Sequence, residues 1–218
     1  ETPFYEIKWN KDGNLSSVYD KENKREALKG PGNILEVYED KPLNHDNWDI
    51  DIFYMQKMET TQLAIKPELI ECGTERCVIR FVHTYNKSVF LRKIIVYRDC
   101  RRIDFETKAE WFETNRLVKT SFPINVRSQK ATYDIQFGHV ERPTHFNTSW
   151  DWARFEVVGH KWGDISESNY GVSILNDCKY GYSAQDNVLK LTLLKSTKFP
   201  DTTCDMGAHE FTYSLLPH

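Results

Sequence analysis

Strict alternation of apolar and charged residues over residues 102–111 constrains this chain more than any other feature. Ile103, Phe105, Thr107, Ala109 and Trp111 fall on one parity, and Arg102, Asp104, Glu106, Lys108 and Glu110 on the other. Successive side chains of a strand point to opposite faces, so the pattern specifies a half-buried β-strand with one wet face. Residues 77–85 and 89–97, rich in β-branched and aromatic side chains, flank Asn86-Lys87-Ser88 as two arms of a hairpin. Residues 4–9 and 15–19 flank Asn10-Lys11-Asp12-Gly13-Asn14, whose Asp-Gly step is a turn signal. Further strands are expected at residues 34–38, 62–65, 68–72, 117–122, 132–137, 154–158, 171–175, 188–194 and 210–215. A turn or two of helix is expected over residues 20–28, with Asp20 as its cap. About fourteen short strands separated by turn residues predict an all-β chain, a large β-sandwich. No Pro/Gly/Ser-rich linker or internal repeat divides it, so residues 1–218 are read as one domain.

Charge and composition narrow the function classes. Lys and Arg number 29 against 32 Asp and Glu, a net charge of −3 that offers no field for nucleic acid or a membrane surface. No apolar run reaches the ~20 residues of a membrane-spanning helix. Six Trp, eleven Tyr and twelve Phe suit a β-rich core or a carbohydrate-facing surface. The five cysteines, Cys72, Cys77, Cys100, Cys178 and Cys204, contain no C-x-x-C pair, which removes a zinc ribbon or a thioredoxin-type motif. Odd in number and scattered, they are read as reduced cytosolic thiols, with a Cys72–Cys77 bridge across a turn as the second reading. Sequons at Asn14, Asn86 and Asn147 are too short a pattern to establish secretion. The signatures of zincins, nucleophile elbows, dinucleotide folds and P-loops are all missing. The chain starts at Glu1 with no leader pattern and is read as a piece of something longer.

Two stretches are dense in polar and aromatic residues together. In the first, Glu39-Asp40-Lys41-Pro42-Leu43-Asn44-His45-Asp46-Asn47-Trp48-Asp49-Ile50-Asp51, a strand would point Asp49 and Asp51 to one face, with Asp46 on a preceding loop and Trp48 between. Carboxylates accept hydrogen bonds from sugar hydroxyls, and an indole face stacks on C–H groups. The competing reading is a solvated acidic strand edge with Trp48 in the core. A calcium site lacks the required spacing and glycine. The second stretch runs from Arg142 to Glu167 and holds Trp150, Trp152, Trp162, His145, His160 and Asp164. It reads either as a polyol-binding wall or as sandwich corners in which Trp packs and Asp, Ser and Thr tie turns. A metal pair of His160 and Asp164 lacks a third ligand placed by spacing.

The run Asn147-Thr148-Ser149-Trp150-Asp151-Trp152-Ala153-Arg154-Phe155-Glu156-Val157, followed by His160-Lys161-Trp162-Gly163-Asp164-Ile165-Ser166-Glu167, resembles the glycoside hydrolase family 38 α-mannosidases. So do Tyr170-Gly171-Val172-Ser173-Ile174-Leu175-Asn176-Asp177-Cys178-Lys179-Tyr180-Gly181, and Asp205-Met206-Gly207-Ala208-His209-Glu210-Phe211-Thr212-Tyr213. Ser17-Val18-Tyr19-Asp20-Lys21 and the stretch from Glu39 to Asp51 fit the same pattern, nearest to the cytosolic/vacuolar branch. The resemblance implies the C-terminal β-domain of such an enzyme, a supersandwich of the galactose-mutarotase-like type. It implies a preceding α/β barrel and helical bundle that hold the zinc, the nucleophile and the acid/base of a retaining mannosidase. No catalytic residue and no metal ligand is then expected here. Partners are the barrel itself and a mannose-containing oligosaccharide, and the compartment is the cytoplasm, or a vacuolar or lysosome-like one. Asp46, Trp48, Asp49 and Asp51 are the first candidate substrate-facing set, and His160, Trp162 and Asp164 the second. The alternatives are a stand-alone carbohydrate-binding module or a purely structural domain. A large exposed aromatic patch is expected where the barrel would sit.

Overall fold

The computed structural model describes residues 1–218 and is a β-sandwich built from antiparallel strands. In chain order these are β1 (Tyr5–Trp9), β2 (Leu15–Asp20), β3 (Arg25–Glu26), β4 (Ile34–Glu39), β5 (Met58–Thr60), β6 (Gln62–Leu63), β7 (Glu68–Cys72), β8 (Arg76–Tyr85), β9 (Ser88–Tyr97) and β10 (Ile103–Trp111). They continue as β11 (Arg116–Pro123), β12 (Lys130–Ile135), β13 (Gly138–Pro143), β14 (Val157–Val158), β15 (Trp162–Glu167), β16 (Tyr170–Asn176), β17 (Gly181–Gln185), β18 (Val188–Ser196) and β19 (Gly207–Pro217). A ten-stranded sheet runs β13-β12-β15-β16-β19-β10-β9-β8-β6, with β7 also paired to β8. A six-stranded sheet runs β14-β17-β18-β11-β4-β5, and β1-β2-β3 form a third.

The alternation over β10 is realised as expected. Ile103, Phe105, Thr107, Ala109 and Trp111 are buried, while Glu106, Lys108 and Glu110 face water. Asp104 departs from the pattern. It is buried, and it accepts hydrogen bonds from Ser214 Oγ and Tyr97 Oη at 2.6 Å each and from Arg102 Nε at 2.5 Å. A cluster of 34 buried apolar residues draws on all three sheets, with Val18, Phe90, Phe105, Val118, Phe122 and Tyr213 among them. Gly13 turns the first hairpin at a φ of +76°, and a Cβ there would meet Phe81 at 3.0 Å.

One fully buried cation sits inside this core. Arg92 follows the inward parity of Phe90 and Ile94 on β9. Its guanidinium donates to the Asn33 carbonyl at 2.9 Å and to the His83 ring. The Asn33 side-chain oxygen accepts from Tyr213 at 2.6 Å and from Thr120 at 3.2 Å, so strands of both large sheets meet on one polar knot. Nε2 of His83 lies 3.1 Å from the Asp12 carbonyl. A neutral ring that donates from Nε2 to Asp12 and accepts at Nδ1 from Arg92 satisfies both neighbours.

The helix expected over residues 20–28 is absent. Asp20 is buried, and its carboxylate accepts the amides of Glu22 and Asn23 at 3.0 Å each while pairing with Arg101 at 2.6 Å. Closing a tight turn in this way sends the chain back as β3. The second cysteine reading also replaces the first: Cys72 and Cys77 face each other across the β7–β8 pair and are disulfide-bonded, while Cys100, Cys178 and Cys204 are free. Strands β5, β13, β15 and β17 form where no strand was expected.

Burial, reinforced by the Arg92 charge, pushes the His83 pKa down to about 3, whereas an unfolded chain takes up that proton near 6.5. Between these values the unfolded state binds more protons, so stability falls as pH drops below 6.5. His83 alone should remove about 2 kcal/mol between pH 7 and pH 5. Urea unfolding should show a His83→Gln protein with an acid slope shallower by that amount. Equal slopes in the two proteins would contradict the assignment.

Candidate functional site

Asp49 and Asp51 do not share a strand face, because the chain leaves β4 into a turn. The Trp48 and Asp49 amides both donate to the His45 carbonyl, at 2.8 and 2.9 Å, and Asp51 precedes a short 3-10 helix, Ile52–Gln56. The carboxylates hold this loop together. Asp46 accepts the amides of Lys198 and Phe199, at 2.7 and 3.2 Å, which fastens the loop to the β18–β19 connection. Lys195 donates to the Asp46 carbonyl at 2.7 Å and pairs at the same distance with the buried carboxylate of Asp40. Burial raises the Asp40 pKa against the pull of Lys195, and the neighbouring Asp46 and Asp51 raise it further. Asp51 accepts the Leu43 amide at 2.7 Å. Trp48, 65% exposed, and Asp49 remain at the surface, and Trp48 is not in the core.

The second set lies on the ten-stranded sheet. Along β15, Gly163 and Ile165 face the core, so Trp162 and Asp164 point the other way. Gly163 admits a close approach, since a Cβ there would lie 3.0 Å from the Tyr182 ring. Asp164 accepts from Ser166, from Ser173 at 2.8 Å and from His218 at 2.9 Å. Burial works against the charged carboxylate, yet the bonds from His218, Ser166 and Ser173 outweigh it and lower the Asp164 pKa. The hydrogen bond to Asp164 in turn raises the pKa of His218. The His160 amide donates to the Asp134 carbonyl at 2.9 Å, and its ring meets Tyr180 edge-on at 5.4 Å. No hydrogen bond or ion pair joins this set to the Asp46 loop, so the two stretches do not form one site. No group of three His, Cys, Asp or Glu side chains is arranged to hold a metal ion.

The most developed polar constellation is one that the sequence reading did not find. On β11, Val118, Thr120 and Phe122 face the core, so Leu117, Lys119 and Ser121 lie on the opposite face of the six-stranded sheet. Pairing places Glu36 and Tyr38 of β4 on one flank, opposite Lys119 and Leu117. Lys190 of β18 and Ser183 of β17 lie on the other flank. The 3-10 helix covers this face with Tyr54, and the segment around the short helix α1 (Ser149–Trp152) covers it with Phe146, Phe155 and Glu156. Thr148 and Asp151 cap α1 reciprocally, which fixes how the segment enters.

Lys119 is completely buried and pairs with Glu156. Burial pushes its ammonium pKa down, and the Glu156 charge opposes the shift. The same Glu156 oxygen accepts from Tyr54 Oη at 2.5 Å. Tyr54 meets Tyr38 edge-on at 4.9 Å. Tyr38 Oη donates to Glu36 at 2.6 Å and accepts from Lys190 at 2.8 Å, and Lys190 pairs with Glu36 at 2.9 Å. Desolvation and the adjacent carboxylates raise both tyrosine pKa values, so both phenols stay protonated and act as donors. Glu36 and Lys190 line a cleft of about 400 Å³ walled by Tyr38, Tyr54, Phe146 and Phe155, with the Lys119–Glu156 pair outside its lining. A signal was present in the sequence: Glu36 interrupts the run of Ile34, Leu35, Val37 and Tyr38 on β4, which is otherwise apolar or aromatic on both faces.

Comparison with known proteins places the whole chain. The family model described as "Glycosyl hydrolases family 38 C-terminal domain" matches residues 1–203. "Alpha-mannosidase G" of Dictyostelium discoideum is 44% identical over 100% of this chain and 21% of its own length. "Alpha-mannosidase 2C1" of Homo sapiens is 39% identical over 97% of this chain and 21% of its own. The chain therefore spans about a fifth of the length of these curated relatives. The crystal structure of an alpha-mannosidase from Enterococcus faecalis V583 superposes with a TM-score of 0.82 at 14% identity, over 100% of this chain and 29% of that one. That likeness shares the fold.

Removing one partner of a buried ion pair leaves the other charge unpaired. Glu156→Ala should therefore cost about 3 kcal/mol of stability. Lys119→Met combined with Glu156→Ala should restore most of that loss, as measured by urea unfolding of the two variants. Equal destabilisation in both would show that Lys119 is not held by Glu156.

Proposed function

Because this chain belongs to the glycosyl hydrolase family 38 C-terminal domains, we propose that it serves as the β-domain of a longer α-mannosidase. The enzyme would hydrolyse terminal α-mannosides with retention of configuration. The observation that carries this reading is the match over residues 1–203, joined to 44% identity with a curated α-mannosidase across the full chain. We take residues 1–218 as one β-sandwich domain, supported by the 34-residue core shared among its sheets.

The reacting groups belong to the rest of the enzyme. Retaining hydrolysis needs one free carboxylate as nucleophile and a second carboxyl as acid then base. Asp46 and Asp51 are bound to backbone amides, and Asp164 is bound to Ser173 and His218, which suits positioning rather than attack. The residues here do not fit a zinc ion either, so no step runs through one in this chain. Zinc chemistry goes with the barrel, and the β-domain alone is inactive.

The part assigned to this domain is to pack on the barrel and complete the wall of the substrate pocket. Trp48 and Asp49 are its contact residues, offering an indole face and a carboxylate with no protein partner, on a loop that Asp46 and Asp51 hold in place. Trp162 and Asp164, with His160 beside them, form the second contact surface. Exposed Phe199, whose amide is held by Asp46 of the Trp48 loop, fits the face toward the barrel. No helix is long and apolar enough to cross a membrane. The three free cysteines favour the cytoplasm as the compartment, while the Cys72–Cys77 bridge favours a vacuolar or lysosome-like one.

In the full-length enzyme, Trp48→Ala and Asp49→Ala should each lower kcat/KM for a mannoside about tenfold, equivalent to ~1.4 kcal/mol of lost transition-state binding. Steady-state hydrolysis of an aryl α-mannoside checks this. Unchanged kinetics in both variants would remove the pocket-wall role.

A further inference from the structure

The cleft on the outer face of the six-stranded sheet has no part in the pocket wall described above. We propose that it is a separate saccharide-binding site that takes one neutral hexopyranose ring, free or at the end of an oligosaccharide.

Rigid elements supply its polar groups. Glu36, Lys190 and Ser183 stand on three different strands of one sheet, with Ser183 and Lys190 in direct register. Lys190 is fixed by Glu36 at 2.9 Å and Tyr38 at 2.8 Å, which orients the ammonium before any ligand arrives. Tyr38 and Lys190 share one Glu36 oxygen. The other Glu36 oxygen, the Ser183 hydroxyl and the Gln185 amide line the cleft without a protein hydrogen-bond partner. A cleft offering an acceptor, a cationic donor and two groups that both donate and accept matches adjacent ring hydroxyls, each of which donates and accepts.

The walls complete the match. Tyr38 and Tyr54 meet edge to face, so their rings present different surfaces, and Phe146 and Phe155 add two more aromatic walls. An apolar aromatic lining with a few oriented polar groups is the usual composition of a small-molecule site, and about 400 Å³ lies within the usual size range. Charge selects the ligand class. Glu36 offsets Lys190, leaving Asp186 as the one unbalanced charge on the lining. A phosphate or carboxylate ligand would meet no free cation, whereas an uncharged polyol meets no repulsion.

The test uses the full-length protein with a tight-binding iminosugar inhibitor saturating its catalytic centre. A thio-linked mannobiose, which resists hydrolysis, is then titrated by calorimetry. A further binding event of millimolar Kd is expected. Lys190→Met should weaken it at least tenfold, and Gln185→Ala, at the open end of β17, at least threefold. Thermal midpoints confirm that both variants fold. Absence of a second event, including through burial of the cleft by another part of the chain, would overturn the proposal. An event that survives both substitutions would overturn it too. Hydrolysis of an aryl mannoside by the unaltered protein is scored separately. Its failure would count against the mannosidase reading and leave the binding result standing.

Discussion

A guanidinium with no carboxylate beside it sits at the centre of this sandwich. Arg92 is fully buried, and its partners are a backbone carbonyl and an imidazole. Burying a charge costs several kcal/mol unless dipoles are held in place around it. The surrounding residues are arranged accordingly. Asn33 presents its carbonyl to Arg92 and its side-chain oxygen to Tyr213 and Thr120, which fixes the approach to β4 against both β19 and β11. His83 must stay neutral to accept, and its other nitrogen reaches the first hairpin at Asp12. All three sheets are therefore registered on a polar knot, with the apolar core filling the space around it.

A second charged layer lies on the far side of the six-stranded sheet. There the strands carry Lys119, Glu36 and Lys190 where a plain sandwich would have solvated side chains. Two irregular segments close over them, and each is anchored through Glu156: one carries it and the other reaches it through Tyr54. The small apolar cluster of Tyr38, Tyr54 and Leu117 then seals the contact. Sheet, loop and cleft thus form one unit, in which a single carboxylate oxygen serves an ammonium and a phenol together.

The local rules of β structure made most of the fold legible. Alternation over β10 and the paired runs of β8 and β9 follow directly from side-chain parity. What escaped depends on contacts between distant residues. Asp20 looks like a helix cap until Arg101, 81 residues away, is seen holding the same carboxylate in a turn. Strand β15 carries Gly163 and a polar outer face, so no apolar run announces it. The Asp46 loop was recognised as unusual, but its carboxylates satisfy amides of a connection some 150 residues later, which no spacing rule reveals. The cleft was missed for a related reason. Its members are scattered from Glu36 to Lys190, and only the strand order and the two covering segments bring them together.

That strand order also governs assembly. β19, the last strand in the sequence, is an interior member of the ten-stranded sheet, hydrogen-bonded to β10 on one side and β16 on the other. Until residues 207–217 leave the ribosome, β10 and β16 each expose an open row of backbone donors and acceptors, and Phe105 lacks the stacked ring of Tyr213 at 5.1 Å. Between the synthesis of residue 176 and the arrival of residues 207–217, the nascent chain therefore carries two adhesive edges. Chaperone contact is most valuable in that interval, and insertion of one strand ends it by joining both halves of the sheet at once.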